Sequence, residues 1–136
     1  QSEQYYGTDG PDVDKINAER PDAVVFNGYH DAYDHRPLRV RAGERVRMWL
    51  LNAGPNRPLS FHVVGGQFDT VYAEGAWQLG SADGPSPTGG SQALGLLPAQ
   101  GGFVEFTLDE PGHYRLVNHV MVDAERGAYG TIEVIE

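Results

Sequence analysis

Leu59-Ser60-Phe61-His62-Val63-Val64-Gly65-Gly66-Gln67-Phe68-Asp69-Thr70-Val71-Tyr72 holds two short runs rich in β-branched and aromatic residues, joined by a glycine pair. In the first run Leu59, Phe61 and Val63 alternate with Ser60, His62 and Val64. That period of two sends one set into a core and the other to the opposite face of a sheet. The spacing predicts strands over 59–64 and 68–72, with Gly65-Gly66-Gln67 as a hairpin-type connection.

The same pattern extends in both directions. Upstream, Val46, Met48 and Leu50 alternate with Arg45, Arg47 and Trp49 within 44–51, and shorter strand signals lie at 23–26 and 38–40. Downstream, strand signals fall at 91–97, 102–108, 113–118 and 129–135, with Val104, Phe106 and Leu108 on one parity and Phe103, Glu105 and Thr107 on the other. Residues 75–90 read as a long Gly, Ser, Pro and Asp loop containing Trp77, and 122–127 read as a short polar stretch. With 18 Gly and 9 Pro in 136 residues, short strands and tight turns are favoured over a helical bundle. The expected fold is all-β: a Greek-key β-sandwich of about eight strands around one core. Residues 1–22 read as a polar connector, with helical turns over 13–20 stopped at Pro21, and 23–136 as the domain.

Charge and composition narrow the function. Nineteen Asp and Glu against ten Lys and Arg give a formal charge of -9, and the basic residues form no stripe, which excludes a phosphate-backbone partner. The absence of cysteine removes disulfides, thiol nucleophiles, Cys-ligated zinc and iron–sulfur clusters together. No run reaches the ~18 to 20 apolar residues of a membrane-spanning helix. The chain begins at Gln1 rather than Met, so the sequence reads as a segment processed or excised from something longer.

His62 and His119 are the candidate chemical residues. Each imidazole lies in or beside an apolar run, where a polar group costs free energy unless it has a partner or a task. His62 shares its face with Ser60 and Val64, and His119 continues the parity of Arg115 and Val117. His30 and His35, in Tyr29-His30-Asp31-Ala32-Tyr33-Asp34-His35, read as residues of a solvated loop, and their spacing matches no closed structural metal site. His113 reads as a surface residue. Arg45 and Arg47 are expected to pair with Glu105 or Asp109.

The ordered words Asn52-Ala53-Gly54-Pro55-Asn56, Ser60-Phe61-His62-Val63-Val64-Gly65, Pro98-Ala99-Gln100-Gly101-Gly102-Phe103, Pro111-Gly112-His113-Tyr114, Asn118-His119 and Gly127-Ala128-Tyr129-Gly130 closely resemble the second, C-terminal cupredoxin domain of copper nitrite reductases and related multicopper oxidases. The resemblance implies that His119 is a ligand of a type 2 copper completed by histidines from another domain or subunit. It implies that His62 stands over the copper and delivers protons, and that a preceding cupredoxin domain carries a type 1 copper. It further implies a small substrate such as nitrite, a homotrimeric assembly, and an exported location, periplasmic, extracellular or at the cell surface. A blue-copper centre needs a Cys thiolate, so no type 1 copper is expected in this chain. Single histidines where laccase-like enzymes carry His-x-His pairs argue against a trinuclear cluster. The alternative is a metal-free cupredoxin that serves as a structural or assembly module without activity.

Overall fold

Strand parity, once paired across sheets, fixes which side chains meet. The computed structural model describes residues 1–136. In chain order the elements are β1 (Ser2–Tyr5), α1 (Val13–Asn17), β2 (Ala23–Phe26), α2 (Ala32–His35), β3 (Leu38–Arg41), β4 (Val46–Leu51), β5 (Leu59–Val63), β6 (Thr70–Ala73), β7 (Ala76–Leu79), β8 (Ala93–Leu96), β9 (Gly101–Phe106), β10 (Gly112–Asn118), α3 (Met121–Ala124) and β11 (Tyr129–Ile135). A five-stranded sheet of order β3-β11-β10-β5-β8 faces a four-stranded sheet of order β4-β9-β6-β7, and β1 and β2 form a separate antiparallel pair. The all-β sandwich expected from the sequence is the observed fold.

The core between the sheets is built by the inward parities. Leu59, Phe61 and Val63 meet Leu94, Leu96, Val104, Phe106, Leu116 and Ile132 there, all buried. Phe61 and Phe68 stack with ring centroids 6.1 Å apart and planes 10° from parallel. Burying side chains of this size contributes about 1.5 to 3 kcal/mol each.

That stacking corrects the first expectation. The runs at 59–64 and 68–72 are not a hairpin, because β5 belongs to the five-stranded sheet and β6 to the four-stranded one. Gly65 at φ 87° turns the chain across the sandwich, and Phe68, fully buried, inserts between the layers as the chain changes sheets. The expected long loop over 75–90 likewise contains β7, which pairs with β6 through Ala73↔Ala76. The two intervening residues, Glu74 at φ 51° and Gly75 at φ 90°, both sit at positive φ, as a tight turn matching the twist of a hairpin requires.

Trp77 lies on β7 and covers its own sandwich. With Tyr72 and Trp49 it surrounds buried Phe103 on the outer face of the four-stranded sheet, at centroid separations of 4.9 to 5.7 Å. Arg45 donates to both Asp69 oxygens at 2.7 and 2.8 Å and to Glu105 at 2.8 Å, and Arg47 pairs with Glu105. The expected Glu105 pairing is therefore present, and Asp69 is its unforeseen third member.

Two polar segments acquire structure that their composition hid. Within 1–22, Ser2–Tyr5 pairs with β2 through Ser2↔Phe26 to Tyr5↔Ala23, and Ser2 and Tyr6 are buried. The helix there is shorter than 13–20: Asp12 caps it by accepting from Lys15 N–H, and it ends at Asn17. The stretch at 122–127 contributes to α3, which buries Asp123 and Ala124.

Candidate functional site

Adjacency of β5 and β10 brings the two singled-out histidines together. The strands pair antiparallel with Val63↔Leu116, His62↔Val117 and Phe61↔Asn118. One step further, the His119 N–H donates to the Ser60 carbonyl at 2.7 Å. His119 is thus diagonal to His62 on one sheet face, the arrangement in which side chains of adjacent strands reach one another. Their ring centroids are 5.5 Å apart and their planes meet at 70°. The face is the outer one, because the opposite parity carries buried Phe61 and Asn118.

One nitrogen of His62 is committed. Its Nδ1 lies 2.5 Å from the carbonyl oxygen of Gln92, the residue before β8. A carbonyl only accepts, so Nδ1 carries the proton and Nε2 is the nitrogen left to bind or to exchange a proton. The ring is half-buried and oriented by that contact, whereas His119 is exposed.

Asn118 sets the backbone from which His119 projects. It is buried, and its Oδ1 accepts from Ser60 N–H at 3.0 Å and from Val120 N–H at 3.1 Å. The end of β10 is thereby tied both to β5 and to the turn into α3. Beyond it, fully buried Asp123 accepts from Arg57 Nε at 2.9 and 2.8 Å through its two oxygens. Val64, Leu97, Met121 and Val122, on segments adjoining the histidine strands, are exposed apolar side chains. Scattered apolar residues are ordinary on a surface; here Val64 lies one residue past β5, Leu97 one past β8, and Met121 and Val122 open α3, two and three residues after His119.

The arrangement offers two imidazoles and no more. No group of three or more His, Cys, Asp or Glu side chains able to hold a metal ion is present in the chain. The donor chemistry fits one edge of a copper site, since imidazole nitrogen suits copper well, and the rest of a coordination shell would come from outside the chain.

The remaining histidines lie elsewhere. His30 Nδ1 meets Asp31 Oδ2 at 2.7 Å, and its ring lies so close to Gly127 that a Cβ there would stand 2.5 Å from His30 Cδ2. Gly127, at φ 114°, is a position where both space and backbone favour glycine. His35 ends α2, so the loop expected at 30–35 contains one helical turn. His30 and His35 line a surface depression with Tyr29, Ala32 and Arg36. His113 is exposed on β10. An apolar crevice of about 140 Å³ lined by Phe26, Tyr33, Leu38, Met48, Leu50 and Phe61 opens between the sheets and includes neither His62 nor His119.

Gln92, Arg57 and Asp123 were not singled out from the sequence. A carbonyl contact leaves no trace in residue type. Arg57 and Asp123 are 66 residues apart, and each reads as a solvated charge in a polar segment. Asn118 stood only as the neighbour of His119 in a recognisable word.

A two-layer sandwich with an outward-facing histidine pair defines the class of this chain, a cupredoxin-like domain. No family model matches it, and individual relatives supply the comparison. The chain is 42% identical over 126 residues to the copper-containing nitrite reductase of Neisseria meningitidis, an alignment covering 90% of this chain and 30% of that protein. It is 32% identical over 128 residues to the copper-containing nitrite reductase of Neorhizobium galegae, covering 91% and 31%. Among solved structures it superposes on the Cu-containing nitrite reductase of Thermus scotoductus with a TM-score of 0.85 at 28% identity, covering 98% of this chain and 29% of that one. A multicopper oxidase superposes with a TM-score of 0.78 at 24% identity and shares the fold. The chain is a cupredoxin-like domain similar to part of copper nitrite reductases, in line with its resemblance to their C-terminal domain. It spans about 30% of the length of those curated relatives.

Proposed function

We propose that this domain belongs to an exported copper oxidoreductase and presents His119 as one ligand of a type 2 copper shared with another domain or subunit, with His62 as the proton donor beside it. A preceding cupredoxin domain would carry the type 1 copper, and a homotrimer would bring the shared ligands together. The observation that carries this reading is the pairing of an exposed His119 with a His62 whose Nδ1 is already bound to Gln92. One imidazole is free to ligate, and the other is oriented to transfer a proton.

The substrate that suits these parts is nitrite, which takes up one electron and two protons and leaves as nitric oxide and water. A copper ion held by His119 would supply Lewis acidity and one-electron redox chemistry. The chain's own residues do the rest. With Nδ1–H held by the Gln92 carbonyl, protonated His62 has one transferable proton, on Nε2, and giving it up leaves a neutral ring in the same orientation. General acid help of this kind is worth about 10² to 10⁴ in rate. The exposed Val64, Leu97, Met121 and Val122 suit contact with a partner domain, whose arrival would cover the site from water.

The test is His62→Asn in the intact protein. Asn keeps an N–H able to reach the Gln92 carbonyl and loses the titratable nitrogen. Nitrite turnover should fall by about 10² to 10⁴ with copper content unchanged. Undiminished turnover would overturn the role of His62. Absence of copper and activity from the intact wild-type protein would leave a structural module.

A further inference from the structure

Partly buried Arg57 and fully buried Asp123 form an ion pair. Asp123 has no exposed side-chain surface, and the Arg57 guanidinium reaches both of its oxygens at 2.8 and 2.9 Å. Arg126, at 3.4 Å, is a looser second partner. Taking a carboxylate out of water is costly unless its partners repay it, so such a pair is poor evidence for stability by itself and better read as fixing one arrangement.

What it fixes lies at the histidine site. Asp123 closes the turn that follows His119: its N–H donates to the Val120 carbonyl at 2.8 Å, and its carbonyl accepts from Ala128 N–H at 3.1 Å. Arg57 lies two residues before β5, the strand that carries His62. Its backbone is pinned independently, since its carbonyl accepts from Gln4 Nε2 at 3.0 Å and Asn52 Nδ2 at 2.9 Å, and its N–H donates to Gln4 Oε1 at 3.2 Å. The guanidinium therefore extends from a rigid anchor on the His62 side to the turn on the His119 side. Asn118 makes the shorter tie between the same two segments through Ser60 and Val120.

We propose that Arg57 and Asp123 are positioning residues of the histidine site: their two-oxygen contact holds the 119–128 turn against the entry to β5 and so sets the placement of His119 relative to His62. This rests on the reading of those histidines as a copper site. The charge pair touches neither imidazole and acts through the backbone.

The experiment uses the full-length protein with Arg57→Met and Asp123→Leu combined, which replaces the charges by apolar groups and leaves no unpaired ion. Two quantities are read beside thermal stability: Cu(II) affinity by titration, and the nuclear Overhauser contact between the His62 and His119 ring protons in histidine-labelled protein. The proposal expects a folded variant with affinity reduced by about 10- to 100-fold, as for other residues that orient metal ligands, and loss of the ring–ring contact. Unchanged affinity with the contact retained would overturn it and leave the pair a packing feature. If the double variant does not fold, Arg57→Lys, which keeps the charge but lacks the Nε–H that both Asp123 oxygens share, takes its place with the same expectations. If His119→Ala leaves Cu(II) binding unchanged in otherwise wild-type protein, the copper reading fails. The ring–ring contact alone then decides the positioning role, its loss supporting and its retention refuting it.

Discussion

Replacing Asn118 by Ala removes the acceptor that two backbone amides share. Ser60 N–H at 3.0 Å and Val120 N–H at 3.1 Å both donate to Asn118 Oδ1, and the side chain is buried. Alanine brings no acceptor and leaves little room for water. Each orphaned amide costs about 1 to 2 kcal/mol, near the middle of the range for unsatisfied buried groups, for a total of about 2 to 4 kcal/mol. With a denaturant slope of about 2 kcal/mol/M, the urea midpoint should drop by about 1 to 2 M at unchanged slope. Amide hydrogen exchange gives the local signature, with Ser60 and Val120 losing protection well beyond the global change while Val64 N–H, bonded to Arg115 carbonyl at 2.7 Å, follows the global change alone. A midpoint within about 0.3 M of wild type, below the loss of even one such bond, would refute the claim that Asn118 satisfies both amides.

Acid should weaken the fold through the Arg45 cluster. Hydrogen bonds from Arg45 hold Asp69 below the usual carboxylate range, and for Glu105 the bonds from Arg45 and Arg47 outweigh the upward effect of burial. A folded pKa below the unfolded one contributes stability that is complete above the unfolded value, about 4, and is lost as pH falls through the folded value. Urea midpoints should therefore decline below about pH 4.5, and Arg45→Gln should flatten that decline; an equally steep decline in the variant would contradict the assignment. Gly102 lies where β9 passes β6, and a Cβ there would stand 2.2 Å from the Tyr72 carbonyl oxygen and 3.1 Å from Ala73 Cα. Backbone cannot yield as a side chain does, so Gly102→Ala should destabilise by about 1 to 3 kcal/mol, measurable as a lowered melting temperature, and an unshifted one would show that the strands part freely.

The outer limits of this fold were legible where side-chain chemistry alone decides. The strands at 23–26 and 129–135 match their sequence readings residue for residue, because the first is bounded by Pro21-Asp22 and Asn27-Gly28 and the second is an alternating run opened after Gly127. The shared parity of His62 with Ser60, and of His119 with Val117, was equally legible from the period of two. Their proximity was not, since it depends on β10 lying beside β5 across an intervening sheet crossing, a long-range pairing that local pattern does not encode. β1 escaped notice because Ser-Glu-Gln-Tyr carries no apolar period and is held by backbone pairing to β2. β7 escaped because Glu-Gly is an uncommon hairpin signal beside Asn-Gly or Asp-Gly. Asp123 shows the limit most plainly. Acidic residues are almost never fully buried unless paired, and the partner that permits its burial is remote in sequence.

The most direct measurement is the copper content of the intact protein, with its electron paramagnetic resonance spectrum, for wild type and His119→Ala. A type 2 signal is expected in wild type and its loss in His119→Ala, with the fold intact by circular dichroism and any type 1 signal from a companion domain preserved. A full type 2 signal in His119→Ala would contradict it.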